Sequence, residues 1–242
     1  MSASLRRVDL TPGYVLHHRP WRDTSRILEV LTREHGRLTL FARGVRGPAA
    51  RLSSVLQPFQ LLLLSWSGRG EAPRLTGAER AGHGAPLPAA CVLAGFYLNE
   101  LLLKLTARHD ALPALFDHYH AALESLRAGA ALEPCLRVFE KRLLEALGYG
   151  LDLGCEAHTG VPLEADRFYE FHPGQGLQRA RPHAPYALCG NSLLSLARES
   201  LSGGRELEDA RRVLQAALGA CLEGRPLTTR LVAKAMKRGA AP

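Results

Sequence analysis

The chain has 242 residues, 46% of them apolar and 22% charged, a composition that excludes disordered and fibrous classes and leaves room for a sizeable buried core. The formal net charge is +8 at pH 7, and nearly all of the excess lies in residues 1–80, which hold 13 arginines, no lysine and 6 acids; such a field attracts polyanions, nucleic acid first among them. The longest uncharged apolar stretch, Ala89 to Leu98, is about half the length of a membrane span, and the segment from Met1 to Arg7 lacks the apolar core of a signal peptide, so a cytoplasmic protein is expected.

The first eighty residues read as strands. Gly13 to Arg19, Ser25 to Thr32 and Arg37 to Arg43 alternate large apolar with polar positions, with Leu38, Leu40 and Ala42 on one face of the third. Gln60 to Trp66 is a continuous apolar run suited to a strand covered on both faces, and Pro73 to Gly77 begins a fifth. Turn residues separate them at Glu34–Gly36, Gly44–Ala50 and Ser67–Gly70. Five strands without an intervening helix predict a small closed barrel, because closure removes exposed sheet edges. Phe41, Phe59 and Trp66 sit in apolar patterns and are expected in its core.

The period then becomes helical. Ala94, Tyr97, Leu98, Leu101, Leu102 and Leu105 mark one face of a helix between Leu87 and Ala107. A second helix is predicted from Pro113 to Gly129 and a third from Pro134 to Gly148. The third has a buried stripe of Leu136, Phe139, Leu143 and Leu147, with Arg137, Lys141 and Arg142 facing outward. Residues 149–190 are rich in Gly, Pro and His and break the pattern, with a hairpin expected across His172–Gln175. Helices return at Asn191–Glu199, from Glu206 onward, and from Leu227 to Lys237. The expected organisation is a barrel over 1–80 and a helical domain over 81–242 that carries a small irregular β insert at 149–190, an α+β class.

Enzyme motifs are absent: there is no G-x-x-x-x-G-K-[ST], G-x-S-x-G or H-E-x-x-H, and no enzymatic activity is expected. Five cysteines scatter without a C-x-x-C pair, which argues against a disulfide framework. Cys155, His158, His183 and Cys189 are zinc-ligand types, but H-x5-C spacing in the far half makes a poor site, and no cofactor is expected. The barrel segment is richer in meaning. Arg19, Trp21, Arg22, Arg26, Arg37, Arg43, Arg46 and Arg51 fall at loop or strand-edge positions, where guanidinium forks suit phosphates. Trp21 either stacks on a base or packs on the barrel rim. An RNA-binding module is the alternative reading of the same charge.

Tyr14-Val-Leu-His-His-Arg-Pro-Trp-Arg-Asp-Thr-Ser-Arg26, Thr32 to Leu38 and Phe41 to Arg46 together resemble the RecO family of bacterial DNA repair proteins. Leu56–Phe59, Tyr97–Leu101, Arg137-x-Phe-Glu140, Leu147–Gly150 and Arg225–Arg230 fit the same family in order. The resemblance implies an N-terminal OB-fold and a non-enzymatic recombination mediator that binds single- and double-stranded DNA and anneals complementary strands. It implies three protein partners: the acidic C-terminal tail of single-stranded DNA-binding protein, RecR and, indirectly, RecA, with the protein acting at the nucleoid. It further suggests Arg137 in a tail-binding site, to which Lys141, Arg225 and Arg230 are added as a basic rim. Many members carry zinc on two C-x-x-C pairs; here only Cys155 remains, with His158 and His183 near the second and fourth positions. Thr228–Thr229 stands where the family carries a lysine.

Overall fold

The computed structural model describes residues 7–45, 51–82 and 84–239. Five strands, β1 (Arg7–Trp21), β2 (Ser25–Thr32), β3 (Gly36–Ala42), β4 (Leu62–Ser67) and β5 (Arg74–Arg80), close into a barrel in the order β1-β2-β3-β5-β4. All pairings are antiparallel except β3 with β5, which meet in parallel at Phe41 opposite Arg74. This is the five-stranded, partly open Greek-key barrel of the OB-fold.

The barrel core forms from alternating residues: Val15, Leu28, Val30, Leu38, Leu40, Leu62, Leu64 and Trp66 are all buried together. Trp66 and Phe59 are buried as expected, while Phe41 is half-buried. β1 starts earlier than its apolar pattern and is irregular, with register shifts between Val8 and Thr11 and between Val15 and His17. Such bulges bend a strand, which lets one strand serve two sheet edges of a closed barrel. It is also buried on both faces. Val15 enters the barrel, whereas Tyr14 packs outward on Phe116 and Tyr119.

Those two aromatics belong to α2 (Pro113–Arg127), which follows α1 (Val92–Leu105). Asn99 of α1 donates to the Leu16 carbonyl at 2.8 Å and accepts from the Tyr119 hydroxyl at 2.6 Å, so its buried amide is paired on both sides. Tyr14 and His120 share a 2.6 Å hydrogen bond in the same layer, and burial raises the Tyr14 hydroxyl pKa well above its ordinary value. Gly95 admits no side chain, because a Cβ there would stand 2.7 Å from the Phe59 ring. The chain divides into two compact units, Met1–Arg127 with Leu227–Pro242, and Ala128–Pro226. The C-terminal α6 (Thr228–Gly239) therefore returns to the first unit and packs on α1.

The second unit holds α3 (Leu132–Ala146), the hairpin β6 (Phe168–His172) and β7 (Gly176–Ala180), the short β8 (Leu188–Cys189), α4 (Gly190–Ala197) and α5 (Gly204–Leu222). The hairpin forms where expected; β8, two residues long, adds to its β6 edge and carries no readable period. α3 differs from its predicted face. Arg137, Phe139, Glu140, Leu143 and Leu144 are buried, while Leu136 and Leu147 are only half-buried. Arg137 donates to Glu140 one turn away at 2.8 Å, and this mutual neutralisation carries both charges inside. Among the described residues no helix is long and apolar enough to cross a membrane.

Candidate nucleic-acid interface

The β1–β2 hairpin places the candidate arginines. Its register sets Arg19 opposite Ile27, Pro20 opposite Arg26 and Trp21 opposite Ser25, and β3 then sets Ala42 opposite Arg26. The Arg22 turn, Arg26 and Arg43 thus share one end of the barrel. Arg19, Arg22 and Arg43 are exposed, and Arg22 holds a left-handed φ of 52° that turns the chain from β1 into β2. Trp21 is 43% exposed, so part of the indole is open to solvent. Arg26 is half-buried; one nitrogen reaches the Ser53 hydroxyl at 3.4 Å, and its Nη1 is buried with no protein partner. Burial holds the His18 imidazole below its ordinary pKa, with the charges of Arg26 and His17 adding to the effect.

Arg37 does not belong to this surface. Its side chain is 13% exposed and is held by Glu29 at 2.9 Å, the Thr106 hydroxyl at 3.2 Å and the Thr106 carbonyl at 2.8 Å. Arg108 and Thr39 bind the same Glu29 carboxylate at 2.6 and 2.8 Å. Burial pushes that carboxyl up, but the hydrogen bonds of Thr39 and Arg108 and the two guanidinium charges outweigh it, leaving the pKa below the ordinary value. Arg37 is a strut between the barrel and the segment after α1. Alternation along β3 could not reveal this, because Glu29 lies on the neighbouring strand and Thr106 69 residues further along the chain. Arg51 opens a short 3₁₀ turn, Arg51–Ser53, and Arg46 lies outside the described residues. Pattern reading missed exposed Arg69 and Arg74; Arg69 stands between two glycines of positive φ, a turn signal that was legible.

Of the expected tail-binding set, Arg137, Lys141 and Arg225 belong to the second unit and Arg230 to the first. Arg137 is 6% exposed and turned inward, with Nε and Nη1 buried and unpartnered. Lys141 binds Glu145 at 2.9 Å and Glu199 at 3.1 Å, and Arg142 joins it on Glu199. Burial alone would lower the Lys141 pKa; the two carboxylates raise it above the ordinary value. Arg225 caps the end of α5 by donating to the Leu222 carbonyl at 3.0 Å. Arg230 lies in the other unit, where it donates to the Tyr97 hydroxyl at 2.9 Å and covers the ring at 5.5 Å. The first turn of α6 is capped by Glu100, whose carboxylate accepts the Thr228 and Thr229 amides at 2.8 and 2.9 Å and the Thr229 hydroxyl at 2.7 Å. Burial raises its pKa, but these bonds and Lys104 bring it down to about 2.

The zinc-ligand candidates of the sequence do not gather in one place. Among the described residues no three metal-ligand side chains come together. The Cys155 segment pairs with Pro162, His158 shares a 3.1 Å hydrogen bond with Gln178, and His183 lies in an exposed loop beside a shallow depression. Asp152 accepts the Gly154 and Cys155 amides at 3.0 and 3.3 Å, so a side chain of the chain itself organises the turn.

An OB-fold barrel with arginines gathered at one end, followed along the chain by a helical body, is an architecture suited to nucleic acid. Two family models match in register with this architecture: Recombination protein O N terminal over residues 8–82 and Recombination protein O C terminal over residues 91–230. The chain belongs to the RecO family of DNA repair and recombination proteins. It is 42% identical to the DNA repair protein RecO of Ralstonia nicotianae over 229 residues, 93% of this chain and 84% of that one. It is 43% identical to that of Nitrosococcus oceani over 234 residues, 96% and 95% of the two chains. The Methylococcus capsulatus protein is 42% identical over 224 residues, 93% and 92%.

Proposed function

We propose that the barrel end carrying Arg19, Trp21, Arg22, Arg26 and Arg43 binds the phosphate backbone of single- and double-stranded DNA. The reading rests on one observation: three exposed arginines and a 43%-exposed indole converge there, and among the described residues Arg19 and Arg43 make no ion pair. Arginine forks neutralise phosphates on two strands, lowering their repulsion so that complementary bases meet, while Trp21 stacks on an unpaired base. The protein is then a non-enzymatic mediator of strand annealing. The same reading extends, as the resemblance suggests, to loading of RecA, together with RecR, on DNA coated by single-stranded DNA-binding protein in the bacterial cytoplasm. For the acidic tail of that protein, Arg137 offers two buried, unpartnered N–H donors suited to a carboxylate.

Triple replacement of Arg19, Arg22 and Arg43 with Ala tests the surface. Each lost phosphate contact should reduce the log–log salt slope of DNA binding by about 0.7 to 0.9. An unchanged slope refutes the assignment, and tighter binding of matched RNA than DNA moves the reading to an RNA partner.

A further inference from the structure

Helix α6 is mounted with its apolar side outward. At 3.6 residues per turn, Leu231, Val232, Ala235 and Met236 share one arc of about 140° on its surface. An arc of this kind ordinarily faces the core. All four residues are exposed instead, Leu231 at 59%, Val232 at 43% and Met236 at 64%. The half-buried residues, Thr229, Arg230 and Ala233, lie outside that arc.

Polar contacts hold the helix in this orientation. The Glu100 carboxylate of α1 accepts the Thr228 and Thr229 amides, and Arg230 donates to the Tyr97 hydroxyl at 2.9 Å while its guanidinium covers the Tyr97 ring. Leu227, 6% exposed, anchors the chain just before the first turn. The seat of α6 on α1 thus leaves the apolar arc to solvent. The segment is also basic: from Arg225 to the last residue the sequence holds five bases and no acid. Lys234, about one turn after Leu231, is exposed at the edge of the arc.

We propose that α6 docks flat on an anionic lipid surface, with Leu231, Val232 and Met236 at the acyl boundary and Lys234 among the headgroup phosphates. The proposal stands apart from the DNA-binding reading above. A second copy of the chain suits the arc poorly, because it would bring the same positive charge face to face. Protein interfaces are depleted in lysine and favour aromatic residues and arginine at their centre, whereas the four residues of the arc supply neither ring nor hydrogen-bonding group. An aliphatic strip edged by lysine, whose stem lies along apolar surface with its ammonium in water, suits the boundary between headgroups and acyl chains. With 12 residues the helix rises about 18 Å, short of a hydrocarbon core of about 30 Å, so it lies on the surface and does not cross it.

Co-sedimentation of the full chain with vesicles tests this. Wild type should bind vesicles of phosphatidylglycerol mixed with phosphatidylcholine, and bind pure phosphatidylcholine far more weakly. Leu231→Ser together with Met236→Ser should weaken that binding by about tenfold or more, the scale of withdrawing one aliphatic side chain from an apolar phase. Lys234→Gln should weaken it roughly fivefold, as for one basic residue near an anionic surface. Both variants should keep wild-type DNA affinity and thermal unfolding, because the exchanged side chains are exposed. The double serine variant decides the matter, since a protein of net charge +8 also adheres to anionic vesicles through its other arginines. Equal vesicle binding by wild type and the double variant, or no binding by wild type, overturns the proposal. A loss of DNA affinity in the double variant that matches its loss of vesicle binding also overturns it, by making the arc part of the nucleic-acid surface. If wild type ignores vesicles but binds an acidic amphipathic peptide through Leu231 and Met236, the arc is a protein-docking face and the lipid assignment fails.

Discussion

Replacing Glu100 with Gln should loosen α6 without unfolding the barrel. The first turn of a helix exposes amide donors that have no partner within the helix, and in α6 two of them, on Thr228 and Thr229, end on the Glu100 carboxylate. The same carboxylate also holds Lys104 at 2.9 Å, and its side chain is 13% exposed. A lost helix cap costs about 0.5–2 kcal/mol and a hydrogen bond to a charged group about 1.5–3; since Gln keeps one acceptor oxygen, a net loss of about 2 kcal/mol is expected. That corresponds to roughly thirtyfold faster hydrogen exchange of α6 amides through local opening. The pH dependence has a definite sign. The folded pKa of about 2 lies below the ordinary glutamate value of about 4.3, so the contribution is complete above that value and drains away as pH falls toward 2. Exchange read by mass spectrometry on peptides covering 228–236, corrected for intrinsic rates, should show wild-type protection falling between pH 5 and pH 2. The Gln variant should be low throughout. Equal protection in the two proteins, or wild-type protection that is flat with pH, refutes the capping argument.

Three other outcomes follow from the same geometry. Arg37→Ala leaves Glu29 with one guanidinium fewer in a half-buried site and should cost about 2–3 kcal/mol by denaturant unfolding, with DNA affinity unchanged. Purified protein should carry well under one equivalent of zinc by elemental analysis, and a chelator should leave its thermal unfolding midpoint in place; stoichiometric zinc would show that Cys155, His158 or His183 gather after all. Arg137→Ala should weaken binding of a fluorescent acidic tail peptide by about tenfold or more while naked-DNA binding is kept, as for loss of a hydrogen bond to a carboxylate; equal affinity would move the tail site elsewhere.

Period and charge carried much of this molecule. Alternation in Ser25–Thr32 and Arg37–Arg43 and the turn residues at Glu34–Gly36 led to the strands, because a pleated strand half-buried on a core must alternate. The 3.6-residue period located α1, α2 and α5 to within a few residues, and the arginine excess pointed to a polyanion before any coordinate was considered. Ordered motifs such as Tyr14–Arg26 led to the family, which two models and the relatives bear out. Which arginine serves which purpose was beyond reach of any local pattern. Arg37 and Arg43 look alike in a strand-edge reading, yet one meets Glu29, Thr106 and the Arg108 segment while the other faces solvent. Arg137 looks like a surface charge on α3 until Glu140 neutralises it in the interior. Arg230 looks like part of a basic tail until α6 returns to α1 and sets it on Tyr97. Each of the three depends on an ion pair or on a contact between residues distant in the chain, and the energy of such a contact resides in the meeting of two segments, not in either one alone.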